Sequence, residues 1–222
     1  MQYELVRSKR RTLAITIDGS GRCVVRAPLR MPMPEIKKFI EEKRGWIESK
    51  LREIKQKNVL APREAEFKDG AGWLIAGTKL RLRFDSCAAK NYAQINGGEL
   101  ICSAKLGRGG LIKFLRTLAR DIFIKRVNIY APLIGVMPLD VKVSEARARW
   151  GSCSAQKVLN FSWRLIFAPP ALIDYVVVHE LCHIGCMNHS PAFWRRVEVI
   201  LPDYAARRKL LKQYGYLLKW YR

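Results

Sequence analysis

All three histidines of this 222-residue chain lie between positions 179 and 189. Two of them frame the run His179-Glu180-Leu181-Cys182-His183, and the third, His189, follows six residues later. Residues four apart share one face of a helix, so a helix through 179–183 offers both imidazoles to one cation. Glu180 sits roughly 100° round that helix from His179. It can therefore reach a water beside the cation without being a ligand itself. The apolar lead-in Tyr175-Val176-Val177-Val178 calls for a buried helix. A helix end near Gly185 lets Cys186-Met187-Asn188 turn the chain back and bring His189 to the same ion. Ser190-Pro191 then has the form of an N-cap followed by proline at the first helical position. Three protein ligands and an open fourth position are what a catalytic zinc site requires, with Glu180 as general base.

Competing readings of these residues are weaker. Histidines also line cores and polar surfaces, and HExxH arises by chance in unrelated helices. Cys182, between the ligands, reads as a small apolar core residue. Cys153 as a nucleophile would need a histidine base, and the metal accounts for all three. The spacing from His179 to His189 equals that of the metzincins. Their glycine would fall at Cys186, however, and no downstream methionine turn is evident, so the chain is not read as one.

The rest of the chain reads as α+β. Residues 12–17 and 23–27 alternate around Asp18-Gly19-Ser20-Gly21, a hairpin signal. Three- and four-residue apolar spacing predicts a helix from Pro34 to about Gln56. Strands are expected over 72–84 and 92–103, with Asn96-Gly97-Gly98 as a turn. A second helix is expected over about 110–129, its stripe formed by Leu111, Phe114, Leu115, Leu118, Ile122 and Val127. Pro132 and Pro138 are expected to close that segment. Strands follow at 141–144 and 158–167. Pro169-Pro170 then opens a helix over about 171–184, and the region from Pro202 looks helical and basic. The expected organisation is one domain over 1–222, β-rich to about residue 105 and helical from about 106.

Charge narrows the partners. With 41 Lys+Arg and 19 Asp+Glu the net charge is +22, which favours phosphate-bearing partners over cationic ones. The helix over 110–129 and the tail residues Arg207, Arg208, Lys209, Lys212, Lys219 and Arg222 are candidates for holding a nucleic acid or nucleotide. The longest apolar stretch, Leu165 to Val178, contains two prolines and an aspartate, too short and broken for a membrane span. The N-terminus lacks the pattern of a secretory signal. Six scattered cysteines read as reduced thiols, giving a cytoplasmic expectation.

Several segments together resemble the YgjP-like metallopeptidase family. They are Arg149-Trp150-Gly151-Ser152-Cys153-Ser154, Leu159 to Ile166, Asp174 to His183, and Asn188-His189-Ser190-Pro191-Ala192-Phe193-Trp194. That family is related to SprT-like and other zincin metallopeptidases. The resemblance implies a zincin-like fold with a β-rich N-terminal portion. It also implies Zn2+ held by His179, His183 and His189, Glu180 as catalytic acid/base, and a protein or peptide substrate. It further suggests that the strand edge near Trp150–Cys153 pairs with an extended peptide. Arg147, Arg149, Arg164 and Tyr204 are candidates for stabilising an oxyanion. Two other substrates stay open for the same site. One is a phosphoanhydride, as in a nucleotide pyrophosphatase. The other is protein bound to nucleic acid, as SprT-like relatives cleave.

Overall fold

The computed structural model describes residues 3–18, 21–60 and 66–219. The chain divides into two compact units, Met1–Arg63 and Glu64–Arg222.

The first unit is a three-stranded sheet with two helices. The alternation in 14–17 and 23–28 yields antiparallel β2 (Ala14–Ile17) and β3 (Cys23–Pro28). Of the expected turn between them, Gly19 and Ser20 lie outside the described residues. A further strand, β1 (Glu4–Ser8), pairs in parallel with β3. It went unforeseen because its two faces are almost equally half-buried and so show no period-two contrast. Cys23, Val25 and Ala27 alternate onto the buried face, where Ile36, Ile40 and Ile47 cover them. The expected helix over 34–56 is two helices, α1 (Met33–Glu42) and α2 (Arg44–Leu60), broken at Lys43. Apolar spacing alone does not reveal such a break, because the stripe continues across it.

In the second unit the expected strand over 72–84 is a hairpin of β4 (Gly72–Ile75) and β5 (Thr78–Asp85). Ala76 and Gly77 make the turn, both at positive φ (46° and 82°). The expected turn at 96–98 joins β6 (Ala93–Asn96) to β7 (Glu99–Ser103). These four form one sheet in the order β4-β5-β7-β6, with β5 and β7 parallel.

Helix α3 (Gly107–Ile134) follows and runs past Pro132. A proline in the last turn forfeits one backbone bond without splitting the helix. The stop comes at Gly135, left-handed at φ 73°, whose N–H bonds back to the Ala131 and Pro132 carbonyls. The buried stripe of α3 is Leu111, Leu115, Ala119, Phe123, Val127 and Ala131. It is straighter than the expected one, because Phe114, Leu118 and Ile122 are only half-buried.

A second three-stranded sheet, β8 (Asp140–Ser144), β9 (Gly151–Cys153) and β10 (Val158–Ser162), has the order β8-β10-β9. The expected strand over 158–167 stops at Ser162. Trp163–Phe167 is a 3-10 turn that is buried throughout. Its five apolar or paired residues cannot all face one core from an alternating strand. Helices α4 (Pro170–Cys182), α5 (Pro191–Ile200) and α6 (Tyr204–Gln213) complete the unit. Nine residues of α4 are buried, so this helix is packed on nearly every side. Among the described residues no helix is long and apolar enough to cross a membrane.

The β4–β5 turn sits against the start of α4. A Cβ at Gly77 would lie 2.8 Å from Cδ of Pro170. The Gly77→Ala variant therefore combines an unfavourable φ with a clash, and it is expected to lose about 2 kcal/mol of stability. Urea unfolding of the two proteins checks this.

Candidate metal centre

His179 and Glu180 occupy the last turn of α4, and His183 is its C-cap. Two features hold the turn that follows. Gly185 is left-handed at φ 99°, and Arg196 of α5 donates to the Ile184 carbonyl at 3.3 Å. The His183 Nδ1–H donates to the Cys186 carbonyl at 3.0 Å. That bond fixes the tautomer and leaves the Nε2 lone pair free. Downstream, the Ser190 hydroxyl accepts from the Phe193 N–H at 3.5 Å, which is the expected helix cap. The Asn188 side chain accepts from the Ser190 N–H at 3.3 Å. His189 is carried between these two contacts.

Each of the three histidines can offer one nitrogen such that all three atoms lie within 4.8 Å of one another. The Nε2 atoms of His189 and His179 are 3.0 Å apart. Phe193, fully buried, forms the floor, with ring centroids 4.5–4.9 Å from all three imidazoles. Trp194 stacks on His189 at 5.6 Å and in turn on Tyr204 at 5.4 Å, with the Arg208 guanidinium 4.6 Å over its ring. Phe193 and Trp194 were not foreseen as parts of the site. The signal was the helix start at Pro191, which places positions 193 and 194 in the first turn beside His189.

Burial sets the electrostatics. It pushes the His179 imidazole down to about 3, and the neighbouring His183 and His189 push the same way. His183 is lowered too, chiefly by burial. Neutral imidazoles with converging lone pairs suit a divalent cation. His179 Nδ1 is buried without a hydrogen-bond partner, and its Nε2 faces His189 Nε2. The donor set fits a metal ion.

Glu180 is 6% exposed. Burial drives its carboxyl up to about 7, against the opposing pull of the Arg149 guanidinium. It packs on the start of β9: a Cβ at Gly151 would lie 2.7 Å from Glu180 Cγ and 2.8 Å from Oε1. Only glycine allows strand and carboxylate to approach this closely. A cavity of about 290 Å³ adjoins them, lined by Arg149, Trp150, Gly151, Tyr175, Val176, His179, Glu180 and Leu211.

The four oxyanion candidates separate. Arg149 lines the cavity. Arg164 is buried and bonded to Glu145 at 3.0 Å, so it is unavailable. Tyr204 is stacked behind Trp194, and Arg147 is exposed and outside the cavity lining. Burial pushes the Tyr175 phenol, another cavity residue, up to about 12. Cys182 is buried, its thiol pushed up to about 11 by burial, as fits an apolar core residue.

A family model described as "YgjP-like, metallopeptidase domain" matches residues 11–214. No curated protein matches at a significant level. Among solved structures, the metallopeptidase zymogen of Pyrococcus abyssi abylysin is similar at 19% identity and a TM-score of 0.37. The match covers 40% of this chain and 93% of that one.

A divalent cation beside Glu180 favours its ionised form, against burial. At pH 6.5 the metal-free carboxyl is mostly protonated, so metal binding should expel that proton. Calorimetry in two buffers of different ionisation enthalpy should show proton release by wild type. It should fall by roughly three-quarters of a proton per ion in Glu180→Gln.

Proposed function

The chain belongs to the YgjP-like metallopeptidase family, and from that premise we propose that it hydrolyses peptide bonds at the 179–189 centre, with zinc as the metal and Glu180 as the base. The observation that carries this reading is the convergence of three imidazole nitrogens within 4.8 Å beside a buried carboxylate. His179, His183 and His189 would hold the ion. Three imidazoles suit zinc and leave a coordination position open. When bound, the ion supplies Lewis acidity, which makes water nucleophilic near neutral pH and polarises a carbonyl.

The chain's own residues do the rest. Glu180 accepts a proton from the attacking water and returns it to the leaving amine. Beside a cation its carboxylate form is favoured, and that form accepts the proton. Burial, which raises the metal-free carboxyl to about 7, strengthens its hold on that proton until the amine takes it. Arg149, at the cavity and close enough to act on Glu180, is the cation placed to receive negative charge on the carbonyl oxygen. β9 is an outer strand of its sheet. Its free edge can pair with an extended peptide and lay the backbone across the cavity mouth.

The Glu180→Gln variant should keep its metal and lose about 10²- to 10⁴-fold in turnover of an unfolded protein substrate. Full proteolysis by that variant would contradict the assignment of the base. Turnover of nucleoside triphosphates with protein substrates untouched would contradict the assignment of the substrate.

A further inference from the structure

A second concave site lies elsewhere in the same unit. A cavity of about 700 Å³ runs between α3 and β8, lined by Gly109, Ile112, Lys113, Arg116, Thr117, Arg120, Asp121, Lys142 and Val143. Lys113, Arg116, Thr117 and Arg120 recur at spacings of three and four, so they share one face of α3. Lys142 faces them from the exposed side of β8.

Acidic neighbours hold part of this charge in place without cancelling it. Arg116 pairs with Glu145 at 3.2 Å, and Arg120 pairs with Asp140 at 3.7 Å. Arg120 also donates to the Val141 carbonyl at 3.2 Å. Glu145 is shared, because its other oxygen binds the buried Arg164 at 3.0 Å and accepts from the Trp163 indole. One carboxylate thus serves two guanidiniums. Lys113 and Lys142 have no carboxylate partner among the described residues. In the groove four cations (Lys113, Arg116, Arg120 and Lys142) meet three carboxylates (Asp121, Asp140 and Glu145), and Glu145 is shared with the buried Arg164. The Arg116 and Arg120 side chains remain 44% and 52% exposed, so these are surface pairs that a stronger anion can displace.

We propose that this groove binds the phosphate backbone of a nucleic acid without regard to base sequence. Its lining contains no aromatic side chain on which a base could stack. Its apolar residues, Ile112 and Val143, are half-buried and offer nothing to insert into a bilayer. A concave groove admits a chain of phosphates, which a flat lipid surface does not present. From Lys113 to Arg120 the helix rises roughly 10 Å, about the axial rise of three base pairs of a duplex. The groove follows the outer strand β8, whereas the histidine centre adjoins the opposite outer strand β9. A bound polyanion therefore leaves the histidine centre open. The inference stands whether or not the protein cleaves peptides.

The test is fluorescence anisotropy of a labelled 20-mer duplex with the full chain across a salt series. Three proteins are compared: wild type, Lys113→Glu/Lys142→Glu, and Lys37→Glu/Lys38→Glu. The last makes the same charge change at exposed positions of α1. Wild type should bind with a steep salt dependence and little sequence preference. The groove variant should bind at least tenfold more weakly, its log–log salt slope reduced by about two. Its metal content and thermal midpoint should be unchanged. The α1 variant should stay within about twofold of wild type. Equal weakening in both variants would overturn the proposal, because net charge alone would then explain binding. It would also be overturned by no binding at low salt, or by tighter groove-dependent binding to vesicles of 70% phosphatidylcholine and 30% phosphatidylserine.

Discussion

Two imidazole nitrogens facing each other at 3.0 Å repel through their lone pairs unless a proton or a cation lies between them. Burial keeps His179 neutral, so the contact is either an N–H···N bond between neutral tautomers or one edge of a cation site, and the convergence of His183 on the same point favours the cation. The second unit is organised around this constraint. α4 is packed on nearly every side and holds His179 and Glu180 in its last turn. A left-handed Gly185, a fixed His183 tautomer and the Ser190 cap fold the chain back within a few residues. Phe193, fully buried, packs against all three rings from the core side.

The same burial that neutralises the histidines raises Glu180, giving one site two kinds of neutral group with opposite uses. The imidazoles keep free lone pairs, and the metal-free carboxyl titrates at about 7. Gly151 joins this pair to the edge strand β9, since the missing Cβ lets that strand lie directly on the carboxyl group. Arg149 precedes that strand and lines the cavity beside it. Strand β9 thus brings backbone hydrogen-bonding groups, the Arg149 guanidinium and the Glu180 carboxyl into one small volume.

Much of this was legible in the sequence, for identifiable reasons. Local patterns carried the histidine spacing, the turn at Gly185 and the Ser190-Pro191 cap. The long α3 helix followed from apolar periodicity. What escaped was decided by tertiary packing. Gly-Ser-Cys at 151–153 has little strand character and becomes β9 only by pairing with β10. Trp163–Phe167 looks like a strand continuation but is drawn into a buried turn, with Arg164 reaching Glu145. That contact also removes Arg164 from the oxyanion candidates, which no local pattern could show. The approach of Gly151 to Glu180 joins segments distant in sequence. So does the stacking of His189, Trp194 and Tyr204.

The central claim is that His179, His183 and His189 together hold one divalent metal ion. Its most direct test is elemental analysis of the protein purified without chelator, alongside His179→Ala, His183→Ala and His189→Ala. The account predicts about one zinc per wild-type chain and loss of most of it in each variant. Wild-type protein without bound metal, or metal retained when all three histidines are replaced together, would contradict it.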